Sequence, residues 1–247
     1  MEQIVKGYRA DDALRRSFDA LAKRTFGLTF EDWYQNGFWG DDYVPYSVVV
    51  DGEVAANVSV NRTDFVLDGV YLFANDTVLD FYPKFGFRRA AEIRYARALE
   101  PGGAASAVRV PMRDREAWDR LTAVIRSSAP CGRFSLCGNT GLPLFYVSKF
   151  MQDCVYRVAP ETYAVAELED GVLRLHAVYA EKQPAPEAVA RAFGGAVRRV
   201  QLGFTPLDTT GWEAEAVHED DTTLFVRGAG FRDFERRGLM FPVLAHA

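Results

Sequence analysis

Tyr71 to Phe87 reads Tyr-Leu-Phe-Ala-Asn-Asp-Thr-Val-Leu-Asp-Phe-Tyr-Pro-Lys-Phe-Gly-Phe and changes character along its length. It opens on β-formers, continues through Asn75 and Asp76, which are helix-capping types, and then offers Thr77 to Phe81 as the start of a short helix that Pro83 would strain. The expected local order is strand, cap, short helix, Tyr82 and a turn at Gly86. Downstream, Arg88 to Arg97 alternates Ala91, Ile93 and Tyr95 with Glu92, Arg94 and Arg97, the pattern of another strand. Upstream, β-rich runs flank Asp51-Gly52 (Tyr46 to Val50, Val54 to Val60) and Asp68-Gly69 (Asp64 to Leu67, Val70 to Phe73). Each Asp-Gly pair is the signature of a tight type I′ hairpin.

The phrase Phe81-Tyr82-Pro83-Lys84-Phe85-Gly86-Phe87, set after a strand and a cap, resembles the fifth strand, fourth helix and following strand of the GNAT acyltransferases. That family transfers acetyl groups from acetyl-CoA. Phe26 to Phe38, Tyr46 to Asn61 and Leu239 to Ala247 resemble a bacterial two-lobed subgroup of the same family, and the likeness covers nearly the whole chain. It implies an α+β protein of two GNAT-like lobes, each a mixed, mostly antiparallel sheet flanked by helices. The lobes would span 1–99 and 108–247, with 100–107 as linker. It also implies an N-acetyltransferase using acetyl-CoA and a small-molecule or peptide amine. Tyr82 would protonate the leaving thiolate, Asn75 would face the cofactor channel, and Trp33, Tyr34 and Phe38 would lie where the acceptor enters. No base stands out; the carboxylates of Asp41 and of the C-terminal Ala247 are the candidates.

One departure is large. Members of the family hold the pyrophosphate on backbone N–H groups in a glycine turn after the fourth strand, at the start of a helix, which is the general physics of an anion at a helix N-terminus. Here Phe65 to Val70 runs straight into Tyr71, so a strand, a loop and a helix, on the order of 25 to 40 residues, are not present near the 68–71 junction. Three other stretches are candidates for the lost loop. Arg24 to Thr29 follows a helix rather than a strand. Ala180 to Pro186 has no glycine, and its prolines remove amide donors. Arg227-Gly228-Ala229-Gly230-Phe231-Arg232 carries only a bare Gly-x-Gly turn.

Composition narrows the alternatives. The net charge of −5 comes with no dense Lys/Arg block, which argues against nucleic acid or an anionic membrane as partner. No apolar run is long enough to cross a bilayer and the first residues lack a signal peptide's core, so a cytoplasmic location is expected. Cys131, Cys137 and Cys154, with His176, His218 and His246, show no ligand spacing, so no metal site is expected.

The remaining elements follow in order. Ile4 to Tyr8 reads as a strand, and Asp11 or Asp12 caps a helix bearing Leu14, Phe18, Leu21 and Ala22. The aromatic run from Phe26 to Trp39 reads first as core closure and second as acceptor contact. After the small, breaker-rich 101–106 segment, Val108 to Met112 resembles a strand and Asp114 to Ser127 a helix stopped by Pro130. Leu142 to Phe150 and Tyr163 to Glu167 look β-like. Val172 to Tyr179, a helix from Pro186 and Val200 to Phe204 form a strand-helix-strand crossover, which requires parallel pairing. The two halves thus read as diverged repeats, with the crossover missing from the first. Besides an active transferase, two other classes fit: a binding or scaffold protein without turnover, as the missing loop suggests, and a self-associating subunit with apolar positions near Leu239 to Leu244 at an interface.

Overall fold

The computed structural model describes residues 2–65, 67–100 and 102–246. The first half runs β1 (Glu2–Lys6), α1 (Asp12–Phe26), α2 (Glu31–Gln35), β2 (Tyr43–Val50), β3 (Glu53–Asn61), β4 (Val70–Ala74), β5 (Arg88–Arg89) and β6 (Ile93–Ala98). The second runs β7 (Val108–Arg109), α3 (Arg115–Ser127), α4 (Gly141–Phe150), β8 (Val155–Ala159), β9 (Thr162–Glu169), β10 (Val172–Tyr179), α5 (Pro186–Arg191), β11 (Arg199–Leu202), β12 (Glu213–Ala216) and β13 (Thr223–Arg227). No helix among the described residues is long and apolar enough to cross a membrane.

The strands form one seven-stranded sheet, ordered β12-β6-β11-β10-β9-β8-β7, and two three-stranded sheets, β1-β2-β3 and β4-β13-β5. The only parallel pair among the described strands is β10 with β11, from Val172 opposite Arg199 to Leu175 opposite Leu202. This is the pairing expected for the crossover through α5. Removing β10 from the large sheet would leave β7-β8-β9 and β11-β6-β12, both wholly antiparallel. These match β1-β2-β3 and β4-β13-β5 strand for strand and in direction. The first half is therefore the same sheet without its fourth strand, split in two where that strand is missing.

The correspondence also shows an exchange. β6, from the first half, lies between β11 and β12 of the second, while β13, from the second half, lies between β4 and β5 of the first. Each half completes the other's sheet, and the strands cross over on either side of the 100–107 segment. That segment is docked, with Ser106 and Ala107 N–H both donating to the Ala192 carbonyl at 2.8 Å.

Several sequence expectations change in the structure. Asp51-Gly52 turns as expected, with φ of 50° and 89°, and joins β2 to β3. Asp68-Gly69 makes no hairpin: β4 pairs with β13, and the Asp68 carbonyl accepts the Gly230 N–H at 3.2 Å. Val66, one of the residues expected to flank that turn, lies outside the described residues. A side chain at Gly69 would stand 2.5 Å from the Phe231 ring and 2.6 Å from the Arg227 carbonyl, so this glycine serves close packing of two loops rather than a turn. Leu142 to Phe150 is helix α4, not strand; Leu142, Leu144 and Val147 are buried in it, and a short buried helix cannot be told from a strand by periodicity. Arg88 to Arg97 is broken into β5 and β6, which belong to different sheets. Val108 to Met112 contributes only the two residues of β7, and the first strand lies two residues earlier than expected.

Four apolar clusters hold these sheets. One packs α5 on β10 and β11 through Val189, Ala190 and Phe193, and a second seats α3 and α4 on the opposite face through Leu121, Val124, Leu144 and Val147. The third gathers Phe134, Phe231, Phe234 and Phe241 beside β4 and β13. The fourth is the aromatic cluster under β1-β2-β3. At about 1.5 to 3 kcal/mol for each fully buried large side chain, the phenylalanine cluster is a principal stabiliser of the first half, although most of its members come from the second.

Candidate functional site

The Tyr71 to Phe87 stretch folds in its expected order, with 3-10 turns in place of an α-helix. Asn75 ends β4 in an extended conformation, and its Oδ1 accepts the Thr77 N–H at 3.1 Å and the Thr77 hydroxyl at 2.5 Å. A 3-10 turn follows at Asp76–Val78 and another at Tyr82–Phe85, closed by Gly86 at φ 79°. Pro83 is tolerated because it falls in the first turn, where its missing N–H has no helical partner to lose.

This places Tyr82 with its ring against Phe225 of β13 (5.5 Å between centroids) and Phe87 (6.1 Å). The side chain is half-buried, and its hydroxyl has no hydrogen-bond partner among the described residues. It is a positioned phenol free to donate. Asn75 is exposed, and its acceptor is engaged in capping.

Trp33 is only 2% exposed, stacks on Trp39 at 5.7 Å and donates its indole N–H to the Gly141 carbonyl at 3.1 Å. The Arg15 guanidinium lies 3.7 Å over the Tyr34 ring and is itself tied to Glu31 and Asp12. Phe38 packs on Trp118 of α3 at 5.4 Å. The aromatic run thus joins the first half to α3 and α4. Asp41 pairs with Arg9 at 3.0 Å, and Ala247 lies outside the described residues.

Next to β4 lies the end of the chain. Tyr71 donates to the Ala245 carbonyl at 2.7 Å, Tyr146 donates to the His246 carbonyl, and the His246 ring stacks on Phe73 at 3.9 Å. Among the described residues His246 Nε2 is buried without a partner, and burial holds the imidazole down at about 4. Sequence spacing gave no sign of this, because the contacts come from β4 and α4.

The fit of acetyl-CoA can be tested on the backbone. In the second half the place for a ligand between the parallel strands β10 and β11, beyond their last pair Leu175 and Leu202, is occupied by Ala129 to Arg133. The Ala129 N–H donates to Ala180, the Arg133 N–H donates to Thr205, both at 3.0 Å, and the Gln183 side chain bonds the Ala129 carbonyl at 2.7 Å. In the first half the strand that would form such an opening is missing. In the Gly228 to Arg232 turn three amides already donate to protein carbonyls: Gly230 to Asp68, Phe231 to Gly228 and Arg232 to Ala229. Gly27 is simply the left-handed cap of α1. The described residues therefore do not form a pyrophosphate cradle of the usual kind.

A cavity of about 240 Å³ remains at the end of β10, lined by His176, Tyr179, Asn139, Cys131 and Leu244 among others. A β-bulge between Leu175 and Ala177 turns His176 toward Glu167, 3.1 Å away, and burial keeps its pKa below the ordinary value. Burial pushes the Cys131 thiol up, and burial together with Glu167 pushes Cys154 to about 11, so neither is a thiolate nucleophile near neutral pH. Among the described residues no group of three or more His, Cys, Asp or Glu could hold a metal ion.

No protein-family model matches the chain and no curated protein matches it. Among solved structures it is similar to a probable N-acyltransferase from Enterococcus faecalis V583, at 10% identity and a TM-score of 0.46 over 95% of this chain and 74% of that one. It is also similar to a GCN5-related N-acetyltransferase from Kribbella flavida, at 19% identity and a TM-score of 0.41 over 92% and 72%. A further similar structure is a tandem GNAT protein from the clavulanic acid biosynthesis pathway, at 11% identity and a TM-score of 0.34 over 93% and 99%.

Proposed function

We propose that this chain is a protein of the N-acetyltransferase kind, its chemistry directed to acetyl-CoA and a small-molecule or peptide amine, and that as built it holds the donor weakly. The observation that supports the transferase reading is the Tyr82 hydroxyl, without a partner among the described residues, with its ring fixed by Phe225 of β13 and by Phe87. We assign it as the proton donor and Asn75, at the end of β4, to the cofactor side. A second reading, a binding or scaffold protein without turnover, is favoured by the missing strand and by the Ala129 to Arg133 segment filling the corresponding opening in the second half.

The test is calorimetric titration of the full chain with acetyl-CoA, beside a thiol-release assay over a panel of amines. Backbone donors to an ionised phosphate are worth roughly 1.5 to 3 kcal/mol each, and every 1.4 kcal/mol is tenfold in affinity, so losing the cradle should move a micromolar ligand to about millimolar or weaker. Weak binding with measurable release, abolished by Tyr82→Phe, would support a slow transferase. No release from a folded protein would leave the binding reading. Micromolar affinity would overturn the claim of a weakened donor site.

A further inference from the structure

The split of the first-half sheet leaves two strand edges without their neighbour, β3 and β4, of which β3 is the longer at 9 residues against 5. In the second half, β9 is flanked by β8 on one side and by antiparallel β10 on the other. Among the described residues its counterpart β3 pairs only with β2. The backbone groups on its outer edge have no strand to bond, and the side chains beside them are apolar and open to solvent, Val58 at 71% and Val60 at 45%.

Natural sheet edges are usually blunted by charges or proline. Val54 to Asn61 contains neither. It is blunted only near its start, by the irregularity where β2 opposes Ala56 and Val54 and by Ser17 of α1, whose Oγ accepts the Val54 N–H at 2.8 Å, so the open part of the edge is Asn57 to Asn61. The strand's charges sit at opposite ends, with Glu53 at its start and Arg62 just past its finish.

We propose that β3 is a self-association edge, and that its missing neighbour is β3 of a second copy of this chain. The absent strand must run antiparallel to β3, as β10 runs to β9, and a two-fold axis through the edge delivers that direction by symmetry. Antiparallel pairing sets Glu53 of one copy beside Arg62 of the other, whereas parallel pairing would set like charges together. Centring the pair on Val58 puts the two Val58 side chains opposite each other and Ala56 opposite Val60, so the most exposed valine of the strand is covered by its own symmetry mate.

Sedimentation of the full-length chain should show a dimer at micromolar concentration. Val58→Lys, which places two ammonium groups face to face on the axis, should give a folded monomer whose melting is cooperative and, unlike the parent's, independent of protein concentration, since the position is exposed in the single chain. Val58→Cys should cross-link into a disulfide dimer under oxidised glutathione far faster than the parent chain, whose exposed Cys137 provides the background. A parent chain that stays monomeric overturns the proposal. So does a dimer indifferent to Val58→Lys, which would place the interface elsewhere.

Discussion

Glu92 is a carboxyl held out of water at the break between β5 and β6. It is 6% exposed, accepts the Phe241 N–H at 2.7 Å, and burial raises it to about 7 from an ordinary 4.5. Because the folded pKa lies above the unfolded one, its contribution to stability is fully present below about pH 4.5 and is lost as pH rises through about 7. A glutamine keeps the acceptor and removes the charge. Glu92→Gln should therefore match the parent at pH 4.5 and exceed it by about 1 to 3 kcal/mol at pH 8 in urea unfolding. An equal difference at both pH values would mean that the carboxyl ionises normally. His246 acts in the opposite direction: its folded pKa is lowered, so its contribution is present above about pH 6.5 and lost as pH falls through about 4. Neither residue was legible as special in the sequence, where Glu92 reads as the outward member of an alternating strand. Its partner Phe241 is 149 positions away. Asn75 was legible as a cap because capping is local, whereas Tyr82 was singled out only through the family likeness of its surrounding phrase.

At the scale of elements, two identical Asp-Gly signals had different outcomes. Asp51-Gly52 became a hairpin because β2 and β3 bury Val49 and Val54 on a common face as they pair. Asp68-Gly69 did not, because β13 offered β4 a full ladder from Thr223 to Arg227 and the 228–231 loop took the Asp68 carbonyl. Local turn chemistry proposes a pairing, and the better-covered strand wins it. Leu142 to Phe150 was ambiguous for a related reason, since a helix buried on most sides shows no polar stripe. The Ala129 to Arg133 segment suggests its own test. A Cβ at Gly132 would run into the Thr205 carbonyl, so Gly132→Ala should cost about 1 to 3 kcal/mol through overpacking. Gly40→Ala, where a Cβ meets nothing within 4 Å, should be near neutral. Comparable melting temperatures for the two variants would show that the segment is loosely held.

At the scale of the molecule, the exchange of β6 and β13 governs how the halves depend on each other. Residues 1–107 alone would lack the strand between β4 and β5, and residues 108–247 alone would lack the one between β11 and β12. Each fragment should be unfolded or aggregated when expressed separately. Co-expression of the two should restore a soluble complex with the far-ultraviolet circular dichroism of the intact chain; a monomeric, cooperatively melting 1–107 fragment would contradict this. The repeat was visible in the sequence as element order, but the exchange was not, because strand partnership is set by which edges are left open and β-propensity does not encode it.

The same crossing has a consequence for synthesis on the ribosome. A chain made from its N-terminus usually completes one folding unit before the next emerges. Here the sheet containing β4 must wait for Thr223 to Arg227, so everything from β4 through β13 leaves the exit tunnel before the first half can close. In that interval β4 has a bare edge and its apolar face lacks Phe134, Phe234 and Phe241. The nascent chain in that interval is therefore a natural client for a holding chaperone.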